Sequence, residues 1–225
     1  MINWNKIETV LLDMDGTLLD LHYDNYFWTE HLPLKLAELQ GLEVAEAREI
    51  VLRKTRNKKG TLLWYCVDHW SDDLGVDIMA LKADLQHKIA VRPYATEFMQ
   101  ALCEQGKQLI MVTNAHRKLI EVKLKETDIG RYFQQVVSAH DLGHPKEEQK
   151  FWAIFSEQYG LHIDSTIFID DNLDVLRSAR AYGLKHLLAI ELPDSQGPRR
   201  QSAEFHCIES FADLIPGDSC NTQNP

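Results

Sequence analysis

Short apolar runs alternate with amphipathic stretches along most of the chain. Runs that are hydrophobic throughout are typical of strands buried on both faces, as in parallel sheets. They predict strands at Thr9–Asp13, Gln108–Thr113, Gln135–Ser138, Thr166–Asp170 and His186–Ile190. Between them, apolar residues recur at helical spacing over Ala95–Glu104, Lys118–Thr127, Phe151–Tyr159 and Leu173–Tyr182. Strands and helices in alternation predict an α/β fold, with a doubly wound parallel sheet covered by helices on both faces.

The segment 20–92 departs from this alternation because it contains only helical patterns. Apolar residues recur at helical spacing over Phe27–Leu39, Val44–Arg56, Leu62–Leu74 and Asp77–Ile89. An all-helical insertion just after the first strand predicts a small second domain, with an extension of the main core as the alternative. The expected organisation is a core of residues 1–19 and 93–216, a helical domain of residues 20–92 and a disordered polar tail of residues 217–225.

Two carboxylates stand at the end of the first predicted strand. They belong to Asp13 and Asp15, and Gly16 follows them. Strand side chains alternate between faces, so these two project to the same side if the extended geometry continues. Acids at the end of a buried strand are costly unless a cation neutralises them, and Mg2+ prefers such oxygen ligands. An aspartate beside a cation can also attack phosphorus as a nucleophile. The alternative interpretation is an Asp-rich turn with no chemistry.

Further polar residues follow the later strands. Thr113-Asn114 ends the second strand, Lys146 precedes a helical pattern, and Asp170-Asp171 ends the fourth strand. Taken singly, Thr-Asn is a turn signal and a lysine at a helix start is a solvated surface residue. In an open parallel sheet, however, ligands bind beyond the carboxyl ends of the strands. The fold and the positions of these residues therefore point to one shared site.

This series of motifs resembles the haloacid dehalogenase superfamily in its phosphatase form. The segment Asp13-Met14-Asp15-Gly16-Thr17 matches the Asp-x-Asp-Gly-Thr motif of that family. The later motifs occur in the same order as in the family, each after the expected strand. The resemblance implies a Rossmann-like core, a small all-helical cap domain and hydrolysis of a phosphate monoester.

The resemblance also implies a role for each catalytic side chain. Asp13 is then the nucleophile, and Asp15 is the general acid and base. Lys146 neutralises the nucleophile and the transferred phosphoryl group, and Thr113 and Asn114 contribute to phosphate binding. Dehalogenases of the superfamily lack an acid two residues after the nucleophile, so Asp15 places this chain with the phosphatases.

A Mg2+ cofactor is implied in the same way. Its expected ligands are a carboxylate oxygen of Asp13, the backbone carbonyl of Asp15 and the carboxylate of Asp171. Asp170 is expected to orient this ligand shell, since strand alternation lets only one of two adjacent acids point straight at the metal. Asp170 as the direct ligand remains the alternative assignment.

Four segments narrow the expected substrate. The aromatic segments Leu19–Trp28 and Thr61–Trp70 resemble the cap of bacterial purine nucleotidases that act on GMP and IMP, and Gly143–Gln149 and Phe168–Asp171 resemble the core of that group. The resemblance extends over nearly the whole chain. It implies hydrolysis of purine nucleoside 5′-monophosphates through an aspartyl-phosphate intermediate.

Tyr26 and Trp64 are the candidate cap residues for contact with a purine base. Aromatic residues at helical spacing belong to a hydrophobic core more often than to a ligand platform, so a core role is the alternative for both. A sugar-phosphate phosphatase and a phosphomutase are the alternative enzymes. A non-catalytic binding protein on the same fold is the alternative from a different functional class.

Composition and charge restrict the expected partners, metal motifs and location of the protein. A formal net charge of −10 argues against nucleic acid as a partner. The 4 cysteines show no C-x-x-C spacing, which argues against a zinc motif and a disulfide framework and favours the cytoplasm. The sequence contains neither a run long enough to span a membrane nor an apolar signal-peptide region at its start. A monomer or homodimer is expected, with a small phosphate ester as its ligand.

The histidines offer one competing metal site. His140 and His144 are spaced as metal ligands on one helix would be, but Gly143 and Pro145 disfavour a helix there. His116, after the Thr-Asn pair, is expected to be a polar residue at a helix start.

Overall fold

The computed structural model describes residues 2–216, and its centre is a six-stranded sheet. The predicted tail at 217–225 lies outside the described residues. The strands are β1 (Thr9–Leu12), β2 (Gln108–Thr113), β3 (Gln135–Ser138), β4 (Thr166–Asp170), β5 (His186–Ile190) and β6 (His206–Ile208). Every neighbouring pair is parallel, and the strand order is β3-β2-β1-β4-β5-β6. This doubly wound order confirms the predicted α/β fold.

The segment after β1 is helical, as the sequence predicts. Its helices are α1 (His22–Tyr26), α2 (Leu32–Gln40), α3 (Val44–Thr55), α4 (Leu62–Tyr65), α5 (Val67–Leu74) and α6 (Ile78–Ala83). We call this segment, residues 22–83, the helical insertion. It has a hydrophobic cluster of its own, built around Phe27, Leu36 and Trp70. None of the helices described in residues 2–216 is long and apolar enough to cross a membrane.

Helices on both faces of the sheet complete the core. They are α7 (Ala95–Glu104), α8 (Arg117–Thr127), α9 (Ala139–Leu142), α10 (Gln149–Tyr159) and α11 (Leu173–Tyr182). Alternation along β1 sends Val10 and Leu12 to the face covered by α7 and Leu11 to the face covered by α10 and α11. Both faces are therefore dry, which accounts for the continuous apolar strands.

The structure corrects several predicted boundaries. β1 ends at Leu12, so Asp13 lies just beyond the strand, and β6 is a strand that the sequence pattern did not predict. The predicted helix Leu62–Leu74 is two helices separated at Cys66, which has extended backbone dihedrals. The predicted helix Phe27–Leu39 begins with a π-helical turn at Phe27–His31.

The short helix α9 is a further correction, because no helix was expected beside His140. It ends at Gly143, whose φ of +72° suits glycine at a helix end. His144 lies beyond this end and pairs with Glu148 at 2.7 Å. The two histidines therefore share no helix face. This agrees with the sequence argument against a metal site at His140 and His144.

Replacing Phe155 tests the core between β4 and α10. Its ring is fully buried and stacks against Phe151 at a centroid distance of 5.9 Å. Phe155→Ala should lower the free energy of unfolding by about 3–5 kcal/mol, because the cavity cannot be filled by small shifts. Urea denaturation measures this, with Leu52→Ala as the control because Leu52 is 59% exposed. Equal effects of the two substitutions would contradict the assigned core.

Candidate active site

Carboxylates from neighbouring strands meet at the carboxyl edge of the sheet. Asp13 follows β1, and Asp170 ends β4 beside it. Oxygen atoms of Asp13, Asp170 and Asp171 lie within 4.8 Å of one another. The chain builds the sheet outward in both directions from β1, so these acids lie where the strand order reverses, the usual ligand site of such folds.

Lys146 is the buried cation of this acidic cluster. Its Nζ lies 2.6 Å from Oδ1 of Asp13, 2.6 Å from Oδ2 of Asp170 and 3.0 Å from the carbonyl oxygen of Val112. Burial alone would lower the pKa of Lys146, but the carboxylates of Asp13 and Asp170 raise it above its ordinary value. Lys146 is therefore charged, although sequence reasoning alone treats a lysine at a helix start as solvated.

The charges of this cluster do not balance. The three ionised carboxylates of Asp13, Asp170 and Asp171 face the buried ammonium of Lys146 and the half-exposed guanidinium of Arg200, which leaves one negative charge. Burial and the nearby Asp13 raise the pKa of Asp171 to about 7. A buried excess of this size calls for a cation, and oxygen ligands suit a divalent metal such as Mg2+. The donor set therefore fits the metal that the sequence motifs imply.

Asp170 and Asp171 differ in their hydrogen bonds. Both oxygens of Asp170 are engaged, one by Lys146 and the other by the backbone N–H of Asn172 at 2.8 Å. Asp171 lines the cavity described below and has Arg200 at 3.5 Å as its contact. The Arg200 side chain is half exposed but reaches the site. This arrangement leaves the Asp171 carboxylate available to a ligand.

Gly16 closes the loop that follows the two aspartates. Its φ is +82°, and a Cβ built there would lie 2.6 Å from Cγ of Asp171. A side chain at this position would therefore collide with a proposed metal ligand and strain the backbone.

Thr113 and Asn114 shape the loop after β2. Oγ1 of Thr113 accepts a hydrogen bond from the backbone N–H of Ala115 at 3.1 Å. Oδ1 of Asn114 accepts from the backbone N–H of Lys146 at 2.9 Å, and its Nδ2 donates to Glu147 at 2.9 Å. The Asn114 side chain thus holds the Lys146 loop, so a phosphate contact from Asn114 would come from its main chain.

A second buried charge cluster holds Asp15. Nζ of Lys123 lies 2.6 Å from Oδ1 of Asp15 and 2.6 Å from Oδ2 of Asp24, which belongs to the helical insertion. Lys82, also in the insertion, donates to the other oxygen of Asp24 at 2.7 Å. Lys82 and Lys123 are buried, and their two charges balance those of the two aspartates when both carboxyl groups are ionised.

This cluster was not foreseen from the sequence. Lys123 lies four residues after Leu119, on the buried side of α8. This spacing is the one feature of the sequence that indicates a buried lysine. The rings of Tyr23 and Phe27 surround Lys82, with centroids 4.6 and 4.3 Å from Nζ. The insertion is therefore tied electrostatically to the residue predicted to act as acid and base.

Two neighbouring cavities meet at Trp64. The larger one, about 460 Å³, is lined by the predicted site residues and by Trp64 and Tyr65 of the insertion. The smaller one, about 280 Å³, lies within the insertion and is lined by Trp28, Trp70 and Arg48, again with Trp64. Tyr26 lines neither cavity and instead packs beside the hydrophobic cluster of the insertion.

Comparison with known proteins identifies the family. The family model of haloacid dehalogenase-like hydrolases matches residues 7–183. The chain belongs to this family. It is a phosphoric monoester hydrolase, in keeping with the acid at position 15.

Individual relatives agree with this assignment. The chain is 38% identical to the GMP/IMP nucleotidase YrfG of Escherichia coli over 96% of its length and 97% of that protein. It is 24% identical to a phosphoglycolate phosphatase of Pseudomonas fluorescens, covering 92% of this chain and 78% of that one. The crystal structure of a HAD phosphatase from Thermococcus onnurineus has the same fold, with a TM-score of 0.77, 23% identity and coverage of 92% and 96%.

Replacing Lys123 tests the second charge cluster. Lys123→Met removes the buried partner that the partly buried Asp15 and Asp24 share, which should cost about 3–5 kcal/mol of stability. A displaced Asp15 should also lower kcat by roughly a hundredfold, with KM changing much less. Steady-state kinetics with an aryl phosphate and urea denaturation measure the two effects. Lys125→Met, an exposed position on the same helix, is the control, and equal behaviour of the two variants would refute the positioning role.

Proposed function

We propose that this hydrolase acts on purine nucleoside 5′-monophosphates, GMP and IMP above all, through an aspartyl-phosphate intermediate. The observation that carries the chemistry is the buried Asp13 carboxylate, held by Lys146 through one oxygen only. The identity to a GMP/IMP nucleotidase over nearly the whole of both chains supports the substrate.

The proposed metal ligands are Asp13, the backbone carbonyl of Asp15 and Asp171. Mg2+ held by these groups would neutralise the remaining negative charge and polarise the phosphate. Asp170 is the residue that positions Lys146, because both of its oxygens are already occupied.

Different residues act in the two steps of the reaction, formation and hydrolysis of the aspartyl-phosphate. Asp13 attacks phosphorus and forms the aspartyl-phosphate while the bond to the leaving oxygen breaks. Asp15 donates a proton to that oxygen, and burial, opposed by Lys123, raises the pKa of Asp15 above its ordinary value, which favours the protonated form that this step needs. Asp15 next takes a proton from the water that hydrolyses the intermediate. Lys146, Thr113 and nearby backbone N–H groups stabilise the charge on the phosphoryl oxygens.

The second cavity is the proposed site for the base. Trp28, Trp64 and Trp70 offer flat apolar surfaces to a purine. Arg48, half exposed at the same cavity and paired with Glu30 at 2.9 Å, carries only hydrogen-bond donors, which match the 6-oxo acceptor of GMP and IMP and not the amino group of AMP. A smaller ester such as a phosphoglycolate would leave this cavity unused.

Replacing Asp13 tests the nucleophile. Asp13→Asn should lower kcat by about a thousandfold or more, because an amide is a poor nucleophile and a poor metal ligand. When the reaction with a 32P-labelled substrate is quenched with acid, the wild-type protein should carry the label and the Asp13→Asn variant should not. Asp72→Asn, an exposed position, is the control. Near-native turnover by folded Asp13→Asn protein would contradict the assignment of Asp13 as the nucleophile.

A substrate panel tests specificity separately. GMP and IMP should exceed AMP in kcat/KM by roughly five- to 150-fold, since a mismatched buried polar group costs about 1–3 kcal/mol. Trp64→Ala should raise KM for GMP more than for an aryl phosphate, with Leu63→Ala as the exposed control on the same helix. If sugar phosphates are far better substrates, the nucleotide proposal fails while the phosphatase chemistry stands. Transfer of phosphate within the substrate, without release, would indicate a phosphomutase.

A further inference from the structure

A cysteine and two histidines form a cluster distinct from the acidic site. Sγ of Cys66 and one ring nitrogen each of His116 and His140 lie within 4.8 Å of one another. Cys66 separates α4 from α5 in the helical insertion, whereas His116 precedes α8 and His140 lies in α9. The cluster therefore joins the insertion to the core.

Two nitrogens of this cluster lack partners. Nδ1 of His116 and Nε2 of His140 are buried and accept or donate no hydrogen bond within the described residues. The two rings meet edge to face with centroids 5.0 Å apart. A buried polar atom without a partner costs roughly 1–3 kcal/mol, and an additional ion is one explanation for such an atom. In a neutral imidazole, the ring nitrogen that carries no proton has a lone pair that can bind a metal ion.

Neighbouring groups support these side chains as they do in metal sites. Sγ of Cys66 accepts a hydrogen bond from the backbone N–H of His69 at 3.4 Å. Nε2 of His116 lies 3.7 Å from the carboxylate of Asp68, which Lys118 holds at 2.5 Å. Metal-binding histidines commonly present their second ring nitrogen to a carboxylate in this way.

We propose that Cys66, His116 and His140 form a Zn2+ site that clamps the helical insertion to the core. A thiolate with two imidazoles favours Zn2+, whereas Mg2+ takes oxygen ligands. Metal–ligand bonds of about 2.0–2.3 Å put tetrahedral ligand atoms roughly 3.3–3.6 Å apart, so the cluster closes with side-chain shifts of about 1 Å. The Cys66 thiol releases its proton to solvent on binding, and a water completes the shell.

The clamp acts on two walls of the catalytic cavity. Cys66 directly follows Trp64-Tyr65, and His116 follows Thr113-Asn114-Ala115, and both segments line that cavity. A bridging ion fixes the distance between them. Zn2+ should therefore slow turnover even with Mg2+ in excess, a consequence that rests on the hydrolase activity and not on the identity of its substrate.

Cobalt titration of the reduced, metal-free full chain tests the site directly. Co2+ replaces Zn2+ and shows a near-ultraviolet charge-transfer band only when a thiolate binds it. We expect one equivalent of Co2+ to produce this band and one equivalent of Zn2+ to abolish it. Cys66→Ser should remove the band, and His116→Gln or His140→Gln should weaken Co2+ binding at least about tenfold, the lower end of the effect seen for supporting residues.

Matched variants separate this site from others. Cys207→Ser and His144→Gln should keep the band, because neither residue belongs to the cluster. Asp171→Asn should also keep it, because the acidic site supplies no thiolate. Cobalt binding without the band, or a band that survives Cys66→Ser, overturns the proposal.

Alkylation of the unaltered protein gives an independent measurement. Zn2+ should slow the reaction of Cys66 with iodoacetamide at least about tenfold while leaving Cys207 unchanged, as read by peptide mass mapping, since only bound thiolate is withdrawn from reaction. Equal alkylation of Cys66 with and without Zn2+ overturns the proposal even if the substituted variants do not fold. In the wild type, Zn2+ should lower the rate with Mg2+ present, and Cys66→Ser should be less sensitive.

Discussion

The burial of several carboxylates at one edge of a parallel sheet constrains the rest of this structure. Asp13, Asp170 and Asp171 cannot remain ionised there without positive charge, and Lys146 supplies only part of it. This shortage of positive charge is the physical basis for the divalent metal proposed at this edge. Asp15 lies two residues from Asp13 but belongs to a separate cluster in which two lysines face two aspartates. Two aspartates of one motif thus lie in different electrostatic surroundings, which suits the different roles proposed for them.

The proposed substrate contacts are divided between the two cavities in the same way. The core contributes groups that any phosphate ester can use, whereas the insertion contributes the tryptophans and Arg48 that a particular leaving group can use. Trp64 borders both cavities, so a ligand that spans them must pass this residue. In the proposed function, chemistry and substrate discrimination therefore rest on different segments of the chain.

The sequence predicts the core well because its signals are local. Apolar strands such as Thr166–Asp170 and helices such as Ala95–Glu104 are set by their own residues, and their bounds match the structure. β6 has three residues and little apolar pattern, so its pairing with β5 depends on the finished sheet. The break at Cys66 likewise depends on packing. Lys123 and Arg200 reach the site from far along the chain, and a lysine on a helix is usually solvated, so neither role is visible without the fold.

The link between Asp24 and Lys123 has a consequence for how such enzymes diversify. A helical insertion from another family member, lacking an acid at the position of Asp24, would leave Lys123 with a buried charge matched on one side only. Tyr65, which donates to Glu147 beside Lys146, adds a second dependence of the core on the same segment. The insertion is therefore not a freely exchangeable module. New specificities in this lineage should arise by point substitutions around the walls of the smaller cavity, which leave both links intact, rather than by recombination of whole domains.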